Sequence, residues 1–173
     1  VVGGERNMIY TCRYNSKIGH ILLAADEIGL TGLWFEGQKY FANTLPDEYT
    51  WQETPILAEA IKWLDIYFSG EEPGFMPPLH PAGSTFRQAV WQILLEIPYG
   101  QTTTYGEIAG KVGERNHTPH MSSRAVGGAV GHNEISIIIP CHRVLGANGS
   151  LTGYAGGIDK KISLLKLEQA NLS

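Results

Sequence analysis

Cysteine and long apolar runs are both scarce in this chain of 173 residues. The two cysteines, Cys12 and Cys141, are too few for a disulfide scaffold. No apolar run approaches the ~20 residues that a membrane span needs. Val1–Asn7 also lacks the apolar stretch and cleavage site of a secretory signal. We therefore expect no membrane partner and a reducing, cytosolic setting in which a thiol stays free.

Positive charge is scarce as well, since 13 Lys and Arg stand against 17 Asp and Glu. The deficit lies in residues 1–83, which carry 5 basic and 11 acidic side chains, whereas residues 84–173 carry 8 and 6. Any contact with phosphate is therefore expected in the C-terminal half. Because that half is only mildly basic, we expect modest affinity and modest salt dependence.

The first part of the chain predicts a small antiparallel sheet. Apolar and polar residues alternate over Met8–Tyr14, which is typical of a half-buried strand. Short apolar runs at 21–25 and 30–35 predict two more strands, joined by a turn at Asp26–Gly29.

A helix and a linker follow this sheet. Thr54-Pro55 supplies a hydroxyl cap and a proline at the first helical position, and apolar residues recur at helical spacing until Gly70. Proline and glycine are dense over 71–84, which predicts a linker. We therefore expect two domains, at 1–78 and 84–173.

The C-terminal half predicts four helices. The first spans about 86–97, the second 104–113 and the third 122–130. The second and third form a candidate helix-turn-helix. The apolar run Ile137–Ile139 is expected to be extended and buried, and Asp159 is expected to cap the last helix.

The candidate helix-turn-helix has a cap at each helix start. Thr104 is expected to cap its helix while Glu107 reaches back in a capping box, and Ser122 or Ser123 is expected to cap the next. That next helix is nearly bare, because 125–129 contains two glycines and two alanines. A bare helix packs closely on another element or approaches a ligand closely, and the pattern alone favours packing.

The segment Pro140-Cys141-His142-Arg143 carries the most reactive chemistry. A neighbouring His or Arg lowers the pKa of a thiol, and the thiolate is the stronger nucleophile. The alternative is that Cys141 is a small buried apolar residue, which is how we interpret Cys12. A metal site of His117, His120, Cys141 and His142 is disfavoured because the ligands lack paired zinc spacing, and no metal is predicted.

Several motifs together resemble the O6-alkylguanine-DNA alkyltransferases. They are Ser123-Arg124-Ala125-Val126-Gly127-Gly128-Ala129, Asn133, Ile139-Pro140-Cys141-His142-Arg143-Val144, Gly153-Tyr154-Ala155-Gly156-Gly157, Leu164-Leu165 and Glu168. The resemblance is ordered from about Ser84 to Glu168 and extends more weakly over the N-terminal sheet and helix. It implies an α+β fold, with a ribonuclease H-like N-terminal domain before a helical C-terminal domain that contains the helix-turn-helix.

The resemblance also implies the activity. Cys141 would take an alkyl group, such as methyl, from O6 of guanine in double-stranded DNA, with O4 of thymine as a further candidate donor. Because a thioether is a poor leaving group, each molecule would react once. The implied protein is a monomer without a cofactor, cytoplasmic and nucleoid-associated in a prokaryote, or nuclear in a eukaryote.

Site roles follow from the resemblance residue by residue. Glu168 would orient His142, which would draw the thiol proton through a water. Tyr105 would protonate the leaving guanine, and Asn133 would brace the turn around the site. Arg124 would fill the gap left by a flipped nucleotide, from a helix in the minor groove. The expected DNA-binding set is Thr104, Tyr105, Ser122, Ser123, Arg124, Ala125 and Gly127, and the expected base pocket includes Val144, Tyr154 and Ala155.

The sequence departs from the family pattern at several points. The turn 114–121 is longer than usual. Glu134 replaces a usual proline and is expected to place negative charge near the DNA face, and Ala155 replaces a serine of some relatives. Cys12 and His20 have no second N-terminal cysteine beside them, so no structural zinc is predicted there.

Three other functions compete with alkyl transfer. A non-catalytic damage sensor of the same family would carry Trp in place of Cys141. A Cys-His hydrolase is disfavoured because adjacent side chains rarely form a nucleophile and base pair. A transcription factor is disfavoured because the recognition helix lacks the side chains that read major-groove edges.

Overall fold

The N-terminal part of the chain forms a four-stranded sheet. A computed structural model describes residues 8–118 and 120–169. The predicted domain ranges and the 114–121 turn also include residues 1–7, 119 and 170–173, which lie outside the described residues. The strands are β1 (Tyr10–Ser16), β2 (Gly19–Ala25), β3 (Leu30–Phe35) and β4 (Thr50–Trp51), in the order β3-β2-β1-β4. The three predicted strands pair antiparallel, and the short β4 adds to β1 in parallel.

Helix α1 (Pro55–Phe68) covers one face of this sheet. It begins as predicted, because the Thr54 hydroxyl accepts a hydrogen bond from the Leu57 amide, and it ends before Gly70, whose φ is 93°. The other face carries Leu22, Ala24 and Trp34, and the loop after β3 covers it.

The proline-rich linker lies against the edge of β3. The Leu30 amide donates to the Pro78 carbonyl at 2.8 Å, and the His80 amide donates to the Leu30 carbonyl at 2.7 Å. A Cβ at Gly29 would lie 2.9 Å from the Pro78 carbonyl oxygen, so this close approach requires glycine. The linker therefore follows the sheet closely instead of looping away from it.

The C-terminal part is mostly helical. Its helices are α2 (Thr85–Leu94), α3 (Tyr105–Arg115), α4 (Ser123–Gly131) and α5 (Ile158–Leu167), with the short parallel strands β5 (Thr103–Thr104) and β6 (Val144–Leu145). Helices α2, α3 and α4 pack on one another through buried residues such as Ile108 and Val126. The Trp91 indole donates to the Ala129 carbonyl at 2.9 Å, which fixes α2 against α4. The α+β fold predicted from the sequence is confirmed.

Three predicted element boundaries were wrong. Helix α2 ends at Leu94 instead of continuing to Ile97, and helix α3 continues past Gly113 to Arg115. Gly113 is needed for another reason, because a Cβ there would lie 2.6 Å from the Thr118 carbonyl of the returning loop. Helix α5 is not capped by Asp159, since its N-cap is Gly157, for which the described residues provide no side-chain cap. Asp159 lies in the first turn, where a negative charge suits the helix dipole.

Two other local predictions also failed. Residues 137–139 form a turn instead of an extended run, with φ of 70° at Ile137 and a 3.1 Å hydrogen bond from the Ile139 amide to the Ile135 carbonyl. The Thr104 hydroxyl caps α3, but the Glu107 carboxylate accepts from the Thr103 hydroxyl at 2.7 Å instead of reaching back to the Thr104 amide.

The two parts of the chain meet along β3. The Leu33 amide donates to the Glu134 carbonyl at 2.9 Å, and the Ser136 amide donates back to the Leu33 carbonyl at 3.0 Å. The N-terminal sheet therefore holds the turn that precedes Cys141. Within the described ranges, no helix is both long and apolar enough to cross a membrane.

Candidate active site

Cys141 begins a short 3-10 turn, Cys141–Arg143, and is only 6% exposed. The turn before it is braced by Asn133, whose side-chain amide donates to the Ile139 carbonyl at 2.8 Å and to the Ile135 carbonyl at 3.2 Å. The Asn133 side-chain carbonyl accepts from the Ile135 amide at 3.0 Å. The predicted brace and the predicted nucleophile therefore lie together.

This brace holds a strained residue. Ile137 is fully buried and has a φ of 70°, which a β-branched residue rarely adopts. Such a conformation costs about 1–3 kcal/mol and persists only where the surroundings determine it. Here Asn133 on one side and the pairing with Leu33 on the other supply that constraint.

Behind Cys141 lies a buried cluster centred on Glu168. The carboxylate accepts from His142 Nε2 at 2.6 Å and from the Tyr67 hydroxyl at 2.6 Å. It also accepts from Arg143 Nε at 2.8 Å and from the Gly100 amide at 3.1 Å. Arg143 Nη2 adds a further hydrogen bond at 3.1 Å, so donors from four residues fix the position of the carboxylate. Tyr67 belongs to α1 and was not predicted to take part.

The cluster keeps Glu168 ionised. Burial opposes the charge, but hydrogen bonds from His142 and Arg143 together with the positive charge of Arg143 outweigh burial and hold the pKa of Glu168 at about 2. Burial lowers the pKa of His142 despite the opposing effect of Glu168. Neutral His142 donates from Nε2 to the carboxylate. Its Nδ1 has no hydrogen-bond partner among the described residues and is free to accept a proton.

The resting state of Cys141 is the thiol. Burial raises the pKa of Cys141, while the Asn133 side chain and the charge of Lys161 oppose that rise. The expectation that His142 and Arg143 lower this pKa was therefore wrong, because burial dominates and Arg143 is committed to Glu168. Forming the thiolate requires a base.

Lys161 is a buried cation that sequence reasoning missed. It is fully buried, and its ammonium donates to the carbonyls of Val144 at 2.6 Å and Thr152 at 2.9 Å. Burial lowers its pKa to about 8, against the opposing effect of Cys141. The available signal was helical spacing, since Lys161 precedes Leu165 by four residues and Glu168 by seven.

A pocket of about 540 Å³ opens in front of Cys141. The predicted site residues that line it are Tyr105, Gly127, Asn133, Cys141, Tyr154 and Ala155. Of the residues described, Val144 is not among those lining this pocket, and its carbonyl instead accepts from Lys161. Sequence reasoning missed Ser136 and His132, and also Gly37, Lys39 and Tyr40 from the loop after β3.

The helix-turn-helix surface adjoins this pocket. A groove of about 600 Å³ is lined by Thr104, Tyr105, Ser123, Arg124 and Gly127, among others. The Ser122 hydroxyl caps α4 by accepting from the amides of Arg124 at 3.2 Å and Ala125 at 3.3 Å. Residues 122–125 are all exposed. The predicted DNA-binding set therefore forms one surface.

Packing on α2 explains Ala129 of the bare helix α4, because Ala129 is buried and its carbonyl accepts from Trp91, but packing does not explain the glycines. A Cβ at Gly127 would lie 3.9 Å from the Tyr105 ring, which is ordinary contact. In the part of the chain that the structure describes, a Cβ at Gly128 or Gly131 would have no atom within 4 Å. Contacts within the described residues therefore do not demand these glycines.

Glu134 is not on the DNA face, so that expectation was wrong. It is 3% exposed and lies against β3, where the Trp34 indole donates to its carboxylate at 3.5 Å. Burial raises the pKa of Glu134. Its side chain faces the N-terminal sheet because the main chain on both sides pairs with Leu33.

The described residues do not assemble a metal site. Within 8–118 and 120–169, no group of three His, Cys, Asp or Glu side chains lies close enough to hold an ion. The side chains of Glu168, His142 and Arg143 near Cys141 instead pair with one another.

Comparison with known proteins gives the family. The model of the 6-O-methylguanine DNA methyltransferase ribonuclease-like domain matches residues 8–81, and that of the DNA binding domain matches residues 85–170. A methylated-DNA–protein-cysteine methyltransferase of Methanosarcina acetivorans is 48% identical over 92% of this chain and 98% of its own length. A methyltransferase of the same name from Mycobacterium leprae is 45% identical over 94% of this chain and 93% of its own length.

A solved structure agrees with these matches. The crystal structure of the Mycobacterium tuberculosis O6-methylguanine methyltransferase has a TM-score of 0.79 and 44% identity, and covers 94% of this chain and 93% of its own. Sequence and structure thus match over both parts of the chain, and the protein belongs to the 6-O-methylguanine DNA methyltransferase family.

Proposed function

We propose that this protein repairs DNA by direct reversal, moving an alkyl group from O6 of guanine onto Cys141 in one irreversible transfer. The observation that carries the proposal is a cysteine at the base of a pocket, with a buried His142 and Glu168 pair behind it. The relatives named methylated-DNA–protein-cysteine methyltransferase support this assignment. A solved structure of Mycobacterium tuberculosis OGT in complex with DNA, 43% identical over 94% of this chain, supports DNA as the partner.

The reaction begins with removal of the thiol proton. His142 Nδ1 accepts it, directly or through a bridging water, because neutral His142 has that nitrogen free. The imidazolium that forms lies 2.6 Å from the ionised Glu168, which stabilises it. Glu168 therefore acts on His142 in the way that the third group of a catalytic triad acts on its base.

The thiolate then attacks the alkyl carbon opposite the C–O6 bond. The new S–C bond forms as the C–O6 bond breaks, and the electron pair passes to the guanine. Guanine takes a proton from the Tyr105 hydroxyl, which lines the same pocket, and the Tyr105 phenolate regains a proton through solvent as His142 returns to its neutral form. The thioether on Cys141 is stable, so the protein is consumed.

The base must leave the duplex to reach Cys141. The exposed start of α4 would enter the minor groove, where bare residues allow close approach of the backbone. Arg124 would fill the space of the flipped nucleotide and offset part of the few kcal/mol that flipping costs. The search is expected to be nearly independent of sequence, since minor-groove readout is degenerate.

The test is intact mass after incubation with a duplex oligonucleotide that carries one O6-methylguanine. We expect a gain of one methyl group per protein, mapped to Cys141 by peptide analysis, and never more than one. The Cys141→Ala variant should bind the same duplex and gain no mass. Unchanged mass of the native protein alongside intact binding would refute transfer and leave a damage sensor.

A further inference from the structure

We infer that Tyr40, stacked on His132, is the outer wall of the Cys141 pocket and limits the size of the O6 substituent that this protein accepts. The inference rests on the proposed function. Tyr40 belongs to the loop after β3, whereas His132 is the C-cap of α4. Their ring centroids lie 4.1 Å apart at an interplanar angle of 25°, and both residues line the pocket.

The backbone under Tyr40 is firmly placed. The Lys39 amide donates to the Ala155 carbonyl at 3.0 Å, so the loop is joined to the pocket segment 153–157. The buried Gln38 side chain accepts from the Phe35 amide at 2.8 Å and donates to the Lys39 carbonyl at 3.0 Å. Tyr40 itself has a φ of 58°, which turns the chain at the pocket edge.

The remaining walls leave Tyr40 and His132 as the adjustable boundary. Near Cys141 the wall residues are small, with Ser136, Ala155 and glycines among them. The Tyr154 hydroxyl is buried and its ring packs against Phe35, so that wall is fixed. Tyr40 has a bulky side chain, and the residue is 44% exposed to solvent.

A substituent larger than methyl therefore presses on this ring pair. In the proposed reaction the alkyl carbon must lie at the Cys141 sulfur, and the guanine must lie within reach of the Tyr105 hydroxyl that protonates it, since both residues line the pocket. The rest of a bulky group must then use the volume bounded by Tyr40 and His132. A pocket of about 540 Å³ has room beyond a methylated base, and this pair decides how much of that room can be used.

The test compares second-order rate constants for O6-benzylguanine and O6-methylguanine in one duplex sequence. For Tyr40→Ala, we expect the benzyl-to-methyl ratio to rise about tenfold, which is at the low end of what one pocket contact discriminates. His132→Ala should raise the ratio in the same direction, because it removes the ring on which Tyr40 rests. Tyr40→Phe keeps the ring and should keep the native ratio.

The matched control is Phe41→Ala, the neighbouring aromatic of the same loop, which contacts Trp34 and is not among the pocket residues described. It should leave the ratio unchanged. An unchanged or lower ratio in both Tyr40→Ala and His132→Ala would overturn the inference. If the native protein gains no methyl group on Cys141, the proposed function itself fails. If the native protein does gain the methyl group, but Tyr40→Ala and His132→Ala keep the native benzyl-to-methyl ratio, the proposed function stands and only the inferred role of Tyr40 fails.

Discussion

Replacing Glu168 with glutamine tests the buried cluster behind Cys141, because it removes the charge and keeps the shape. The pKa of this carboxyl falls from 4.5 to about 2 in the folded protein. Since a tenfold change in acidity is worth about 1.4 kcal/mol, this corresponds to about 3 kcal/mol of stabilisation. This value agrees with the cost of about 3–5 kcal/mol that is typical of removing one partner of a buried ion pair. In this protein the substitution leaves Arg143 without its counter-ion.

The direction of the Glu168 pKa shift determines how the stabilisation depends on pH. The folded pKa of Glu168 lies below the unfolded value, so its stabilisation is complete well above pH 4.5 and is lost as the pH falls toward 2. Urea denaturation should therefore show Glu168→Gln to be less stable than the native protein by about 3 kcal/mol at pH 7. The difference should narrow steadily between pH 5 and pH 3. Methyl transfer should also slow, because the imidazolium of His142 loses its stabilising charge.

Tyr67→Phe is the matched control, since it removes one donor to the same carboxylate and leaves the charge. It should lower the free energy of unfolding by about 1.5–3 kcal/mol, and this loss should vary less with pH than the loss caused by Glu168→Gln. A loss for Glu168→Gln below about 1 kcal/mol at pH 7, or one that does not narrow on acidification, would refute the assignment of Glu168 as an ionised anchor.

Three further predictions concern other buried or exposed groups. Glu134→Gln should raise the melting temperature at pH 8 but not at pH 4.5, because burial raises the folded pKa of Glu134 and its ionisation then opposes folding; an equal difference at both pH values would contradict this. Lys161→Met should lower the free energy of unfolding, measured in urea, by about 1–3 kcal/mol and should slow methyl transfer, because the Val144 carbonyl loses its hydrogen-bond donor. A variant with the stability and transfer rate of the native protein would contradict this prediction. Arg124→Ala should slow transfer from duplex DNA more than transfer from free O6-benzylguanine, because only the duplex leaves a gap to fill; equal slowing in both assays would exclude that role.

Local chemistry made much of the fold predictable. The hydroxyls of Thr54 and Thr104 cap the helices that the sequence assigned to them, and Ser122, one of the two predicted candidates, caps α4. A cap acts on amides two or three residues away, so its signal survives without tertiary information. Strands β2 and β3 were also predictable from local sequence, because each coincides with a short apolar run.

Long-range contacts were not predictable from these patterns. Tyr67 and Glu168 are 101 residues apart, and nothing in either segment indicates the other. Glu134 is an acidic residue in a polar turn, so exposure was the reasonable expectation, and only pairing with β3 buries it. Ile137 shows the same limit, because an apolar β-branched run favours a strand unless outside contacts impose another conformation.

The glycines of α4 have a consequence for the free protein. Each glycine in a helix interior costs about 0.5–1 kcal/mol relative to alanine, and Gly127 and Gly128 gain no intramolecular packing that a methyl group would disturb. The stability of α4 therefore depends on the Ser122 cap and on its packing against α2 and α3 more than on its own sequence. Its exposed amides should exchange with solvent faster than those of α2, and Gly128→Ala should slow that exchange in the free protein.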